Sequence, residues 1–192
     1  MIPKNTKKIL LYLLRNLEII NMNQISKTLN ISVGSAFKIL KRLEEEKIVL
    51  SKKLGNATFY QVNLDNDEAL KVCELLLLEE KRNLKGYPKI YSDEIKNFEN
   101  AELIVIFGSI LNNREFNDVD VLFITNRIKE VSSFCLHVSK IRMKPIVPLI
   151  LNRGDFIREI KNKKEAILHI LKTGIILKGE SVFLKVIKDA KS

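Results

Sequence analysis

The sequence predicts an α+β protein of two modules, in which three helices and a β-hairpin precede a mixed-sheet α/β unit. Three observations carry this expectation. Apolar residues recur at three- and four-residue spacing through the first third of the chain. Two short β-branched and aromatic segments flank Gly55-Asn56. Beyond residue 100, apolar runs of strand length alternate with helical patterns. At 192 residues and 46% hydrophobic content, the chain can bury one moderate core and one small one.

The first module reads element by element. Asn5 or Thr6 caps a helix whose Ile9, Leu10, Leu13, Leu14 and Leu17 form one apolar stripe. Met22 to Leu29 forms a second helix and contributes Ile25 and Leu29. After the turn Asn30-Ile31, Ser32 caps a third helix from Val33 to Glu46, with Val33, Ala36, Phe37, Leu40 and Leu43 on its inner face. Three helices with so short a connection form a helix-turn-helix. Ile48 to Lys53 and Thr58 to Asn63 are strands, and Leu54-Gly55-Asn56-Ala57 is the tip of the hairpin between them. This order over residues 1–64 resembles the winged helix-turn-helix family of transcription regulators, and the resemblance implies double-stranded DNA as partner.

Charge points the same way. Residues 1–64 hold nine Lys and two Arg against four Glu, which is +7 of the chain's +10. Ser35, Lys38, Lys41 and Arg42 fall on the outer side of the third helix, and Lys52 and Lys53 fall on the wing. Together they offer one surface to phosphates. Ser32, Ser35 and Lys38 are the candidates for contact with base edges. The plainer reading is a solvated lysine-rich surface, because Lys is abundant throughout and Glu44-Glu45-Glu46 closes the same helix.

Residues 65–100 link the modules. Asp65 or Asp67 caps a long helix through about Asn83, with Leu70, Cys73, Leu76, Leu77 and Leu84 on one side. That helix has to pack either on the second module or on its copy in a second chain. The latter makes a homodimer, which suits a winged helix on a two-fold DNA site. Gly86-Tyr87-Pro88 then breaks the chain before a short helix at 92–97.

Residues 101–192 carry the chemistry. Glu102 to Phe107 is a buried strand that ends in Gly108-Ser109. Gly108 lets the backbone approach a ligand, and Ser109 caps the next helix while its hydroxyl and nearby N–H groups hold a triphosphate. Eight residues later, Asp118-Val119-Asp120-Val121 opens a strand running to Ile124. Residues two apart share a face, so both carboxylates point one way while Val119 and Val121 enter the core. Paired carboxylates repel unless a cation lies between them, and their hard oxygens suit Mg²⁺ arriving with a nucleoside triphosphate. A helix at Ile128 to Arg142 and a strand at 144–151 follow. Lys163 to Lys172, Gly174 to Gly179 and a last helix from Ser181 to Lys188 close the unit.

This stretch resembles the nucleotidyltransferase superfamily of polymerase-β-like fold, whose signature is a hydrophobic residue, Gly-Ser, a spacer and Asp-hydrophobic-Asp. The resemblance implies nucleotide binding at Gly108 and Ser109, with Asp118 and Asp120 as catalytic metal ligands. Active members carry a third carboxylate on a later strand. Here Lys144 to Leu151 has no acid, and Asp155 is either that acid displaced into a loop or the N-cap of a helix from Phe156 to Lys164. Ile110 stands where many members have Arg, with Arg114 the nearest basic residue, and Asn117 replaces a common Ser. Over nearly its whole length the chain resembles proteins that fuse a winged helix to a minimal nucleotidyltransferase domain.

Three functions stay open. One is a transcription regulator whose second domain senses a nucleotide. Another is an active Mg²⁺-dependent nucleotidyltransferase that moves a nucleoside monophosphate onto a protein, small molecule or nucleic acid. The third is a regulator whose second domain only dimerises. No uncharged apolar stretch approaches the roughly 18 residues of a membrane span, and Met-Ile-Pro-Lys-Asn is no secretory start, so the expected location is cytoplasmic, with no membrane partner. Cys73 and Cys135 lie far apart in apolar helical patterns and read as buried free thiols. His137 and His169 lack metal-ligand company, so no zinc site is expected.

Overall fold

The computed structural model describes residues 2–112 and 115–191, so Arg114 lies outside the described residues. The chain divides into two compact units, Met1–Leu76 and Leu77–Ser192.

The amino-terminal unit runs α1 (Lys4–Arg15), β1 (Ile20–Asn21), α2 (Met22–Leu29), α3 (Val33–Glu45), β2 (Val49–Leu54) and β3 (Ala57–Val62). The strands form an antiparallel sheet in the order β1-β3-β2. Ile9, Leu10, Leu13 and Leu14 of α1, Ile25 of α2, Ala36, Leu40 and Leu43 of α3, and Tyr60 and Val62 of β3 are buried. Pro3, not Asn5 or Thr6, precedes the first turn of α1, and its ring holds φ at −60°. Thr6 is instead buried inside the helix, where its hydroxyl accepts a hydrogen bond from Arg42 at 3.4 Å.

Local capping fixes the connection between α2 and α3. Asn21 Oδ1 accepts from the Gln24 N–H at 2.9 Å, and Gln24 Oε1 accepts from the Asn21 N–H at 3.1 Å, a reciprocal capping box. Asn30 takes a left-handed φ of 51°, which brings the Ile31 N–H to the Ser26 carbonyl at 3.0 Å. Ser32 then caps α3, accepting from the Ser35 N–H at 3.2 Å. The hairpin strands reach one residue closer to each other than the sequence predicts, leaving the two-residue turn Gly55-Asn56 with Gly55 at φ 58°.

Helix α4 (Asp67–Arg82) crosses the division between the units. Its cap is Asn66, whose Oδ1 accepts from the Ala69 N–H at 2.9 Å, rather than Asp65 or Asp67. Cys73, Leu76 and Leu77 are buried within the chain, while Leu75 is exposed. Helix α5 (Gly86–Ile95) takes in Gly86-Tyr87-Pro88 instead of starting after it. Proline is tolerated there because a first helical turn leaves its N–H positions without helical partners.

The carboxyl-terminal sheet is built from β4 (Leu103–Phe107), β5 (Val119–Ile124), β6 (Ile146–Leu151) and β7 (Ile175–Lys178), in the order β6-β5-β4-β7. β5 and β6 are parallel, and the other pairs are antiparallel. α6 (Ile128–Ile141) crosses from β5 to β6, and α7 (Arg153–Lys161), α8 (Glu165–Thr173) and α9 (Glu180–Lys191) complete the unit.

Each strand divides its side chains between two faces. On the first face Ile104, Ile106, Val119, Val121 and Phe123 pack with Tyr91, Ile95 and Phe98 and with Val131, Cys135 and Val138 of α6. The second face carries Leu103, Val105 and Phe107 beside Ile124, Leu122 and Asp120, their register partners. α8 and α9 pack against β4, and Gly174 at the end of α8 lies against the side chain of Val105.

The outer edge of β6 offers few donors for further pairing. The Val119 N–H bonds the Pro145 carbonyl and the Thr125 N–H bonds the Leu151 carbonyl, both at 2.9 Å, so Ile146, Pro148 and Ile150 turn their polar groups outward. The Ile146 N–H is taken by Ser139 Oγ at 2.9 Å, and Pro148 has no N–H. Such an edge resists strand addition.

Phe123 is fully buried and meets Phe98 edge to face at 5.6 Å. Phe123→Ala is expected to destabilise the carboxyl-terminal unit by about 3–5 kcal/mol in urea denaturation of the full chain.

Candidate functional site

Two surfaces are built from the expected residues. On the amino-terminal unit, Ala36, Leu40 and Leu43 bury one side of α3 and leave Gly34, Lys38, Lys41 and Glu45 on the opposite side. Lys38 has no ion pair among the described residues, and Lys41 lies 4.0 Å from Glu45 with both side chains well exposed. Arg42 is differently engaged. It donates to Thr6 and lies 3.6 Å from Glu46, so it ties α3 to α1. Ser32 Oγ is occupied by the cap, and Ser35 is half-buried.

Val33 and Phe37, expected in the core, are 48% and 50% exposed. Ala36, Leu40 and Leu43 already fill the contact stripe, which leaves Val33 and Phe37, one turn apart, on its flank. They lie on the side of Glu44, which accepts a hydrogen bond from Ser51 of β2. Sequence reasoning missed both as surface residues, although their surplus over one stripe was the signal.

The wing lysines also separate. Lys52 pairs with Phe59 and Lys53 with Thr58, and adjacent strand residues project from opposite faces. Lys53 shares its face with Ser51, toward α3, while Lys52 shares the outer face with Leu50 and Leu54, which are exposed. Both lysines are exposed near the tip but do not form one row.

In the carboxyl-terminal unit, β4 and β5 bring Gly108 and Asp120 together. Phe107 is paired with Asp120. Gly108 follows at φ +84°, and a Cβ placed on it would lie 2.3 Å from Asp120 Oδ2. Glycine is therefore required twice, for its backbone angle and for the carboxylate beside it. Burial pushes the Asp120 carboxyl above its ordinary value, and the nearby charge of Asp118 pushes it further the same way. Val119 and Val121 face the core as expected.

The helix expected after Ser109 is a single 3₁₀ turn, Ser109–Asn112, too short to offer the dipole of an α-helix. Opposite Asp120 on β6 stands Val147, 45% exposed, at the position where a third carboxylate would share the face. Asp155 is not the cap of α7. Asn152 is, accepting from the Asp155 N–H at 2.8 Å, while the Asp155 carboxylate takes hydrogen bonds from Asn152 Nδ2 at 2.7 Å and Arg158 at 2.6 Å. Among the described residues no group of three His, Cys, Asp or Glu side chains is placed to hold a metal. Two carboxylates still fit Mg²⁺, which is commonly held by one or two of them together with substrate phosphates and water.

Cys73 and Cys135 are buried and not joined in a disulfide, and burial pushes the Cys135 thiol up to about 11, so it is inert at neutral pH. Among the described residues no helix is long and apolar enough to cross a membrane.

Residues 2–49 match the family model described as winged helix-turn-helix DNA-binding. No curated protein matches the chain. A solved structure similar to it is that of a mutant of ZitR from Lactococcus lactis, at 20% identity and a TM-score of 0.38, with 52% of this chain aligned. The chain spans 64% of that protein's length. The amino-terminal unit carries a winged helix-turn-helix DNA-binding domain.

Two substitutions test the carboxylate geometry. Gly108→Ala is expected to destabilise the fold by about 1–3 kcal/mol, through the positive φ and the contact with Asp120. Asp120→Asn should raise Tm at pH 7 in EDTA. The native carboxyl titrates above its unfolded value, so ionisation penalises only the folded state, and that penalty vanishes as pH falls below the unfolded carboxylate range. The Tm difference between variant and wild type should therefore shrink toward zero near a pH of about 3 in differential scanning calorimetry.

Proposed function

We propose that the chain is a DNA-binding transcription regulator whose carboxyl-terminal unit is a nucleotidyltransferase-like domain that holds a nucleotide as effector. The observation that carries the reading is the outward face of α3, where Lys38 and Lys41 stand exposed beside Val33 and Phe37 in a winged helix-turn-helix. Lys38 and Lys41 meet phosphates from the major groove, and Lys52 and Lys53 meet the backbone on either side of the wing. Phe37 and Val33 contact thymine methyl groups, and Ser32 and Ser35 offer hydroxyls to base edges or phosphates. Arg42 contributes by holding α3 in place. Two copies would read a two-fold site, giving a complex of twice 22.1 kDa plus the mass of the duplex in light scattering.

The nucleotide reading is supported by the contact of Gly108 with Asp120 and by the proximity of Asp118. Gly108 admits the triphosphate to the backbone, and Ser109 offers it a hydroxyl. Asp118 and Asp120 would hold Mg²⁺, whose charge offsets that of the phosphates. The same contact favours a second reading, an active transferase of nucleoside monophosphate. Val147 weighs against it, because β6 supplies no carboxylate to deprotonate an acceptor hydroxyl. Asp155 is engaged by its cap and by Arg158.

Fluorescence anisotropy on a labelled random-sequence duplex tests the DNA reading. Binding should fall steeply with salt, and Lys38→Glu and Lys41→Glu should each lower the slope of log K against log salt by about 1. An unchanged slope in both variants would refute it. On a selected site, Phe37→Ala should cost about 1 kcal/mol while leaving the salt slope intact.

Incubation with Mg²⁺ and each α-³²P-labelled nucleoside triphosphate separates effector from substrate. The proposal expects metal-dependent binding, lost in the Asp118→Ala/Asp120→Ala variant, without transfer of label. Label transferred by the wild type and not by the variant would establish the second reading instead.

A further inference from the structure

We propose a second, metal-independent ligand site in the carboxyl-terminal unit: a cavity of about 670 Å³ between α5, the 3₁₀ turn and the segment before β6, shaped for a mononucleotide. Its walls include Tyr87, Tyr91, Phe116, Lys85, Lys144 and Asn117.

The cavity is separate from the aspartates. Tyr91 and Ile110, which line it, belong to the core on the Val119, Val121 and Phe123 face of the sheet. Asp120 lies between Val119 and Val121 and projects from the other face. Gly108, Ser109, Asp118 and Asp120 are not among the lining residues. The inference therefore stands whether or not the aspartates bind a metal.

The chemistry of the walls selects the ligand. Phe116 is held edge-on by Tyr87 at 5.5 Å and by Tyr91 at 6.2 Å. Tyr91 itself is immobilised, because its hydroxyl donates to the Lys144 carbonyl and accepts from the Lys144 N–H, both at 2.9 Å. Tyr87 is half exposed, so its ring is available to stack on a planar ligand. Met143, almost fully exposed, is a mobile thioether able to cover such a ring.

Lys85 and Lys144 supply two cations, and among the described residues neither has an ion pair. They suit a phosphate. Glu115 accepts and Asn117 both donates and accepts, which matches the polar edge of a base better than a plain hydrocarbon ring. The volume lies within the range of about 300–1,000 Å³ typical of small-molecule sites. Aromatic platform, polar edge and paired cations together describe a heteroaromatic base carrying a phosphate.

Isothermal titration of the full chain with AMP, GMP, CMP and UMP, each in EDTA, tests this. At least one should bind saturably and stoichiometrically. Its affinity should fall at least about tenfold in Lys85→Glu/Lys144→Glu and in Tyr87→Ala, at side chains that are exposed or half-buried, and stay unchanged in Asp118→Ala/Asp120→Ala. Equal melting temperatures of the lysine variant and wild type would confirm that the loss is local. No binding by any of the four, binding lost with the aspartates, or binding of 4-hydroxybenzoate in place of all four would overturn the proposal. The aspartate site is read separately, by Mg²⁺-dependent triphosphate binding.

Discussion

The two-residue period of the β-strand decides what each surface of this protein can do. In β5 it sends Val119, Val121 and Phe123 into a fully buried core and leaves Asp120 on the opposite face, where burial is partial and Gly108 is its neighbour. Without that core the aspartate would have no fixed position. The same period places Val147 of β6 on the face of Asp120, so β6 sets no carboxylate opposite it, while Asp118 precedes the strand. It also parts the wing lysines, sending Lys53 toward α3 and Lys52 outward. One geometric rule thus explains the placement of Asp120, the lack of a carboxylate opposite it and the spread of charge on the wing.

On the amino-terminal unit the distribution of charge is more selective than its amount. Eleven basic residues fall within residues 1–64, yet Arg42 is drawn to Thr6 and Glu46, and Lys41 stands near Glu45. Lys38 is the least compensated cation on the outward line of α3. Exposed ion pairs of this kind are worth little to stability, so Lys41 remains available to a phosphate at small cost. Phe37 and Val33 add an apolar flank, half exposed, where solvated lysines alone would give no preference among sequences.

Much of this architecture was legible in the residues themselves. The α2 helix, the Asn30 turn and the Ser32 cap carry local signals strong enough to settle them without tertiary context. Strand β5 was legible because Val119 and Val121 alternate with aspartates. Other features depended on distant partners. β1 is two residues long and exists through pairing with Tyr60 and Phe59, which no local pattern announces. Phe37 is as apolar as Leu40, and only the completed packing of Ala36, Leu40 and Leu43 shows it to be surplus. Pro88 reads as a breaker but sits where α5 has no N–H to lose. Asp155 looked like a cap, and Asn152, three residues earlier, took the role. The cavity was invisible in sequence because its lining comes from four separate segments.

The central claim is that α3 and the wing form the DNA-reading surface. Hydrogen–deuterium exchange of the full chain, with and without a bound duplex, tests it most directly. The account predicts slower exchange at the start of α3 and along β2–β3, with little change in α6 and β6. Protection confined to the carboxyl-terminal unit, or absent from α3 when the duplex is saturating, would contradict it.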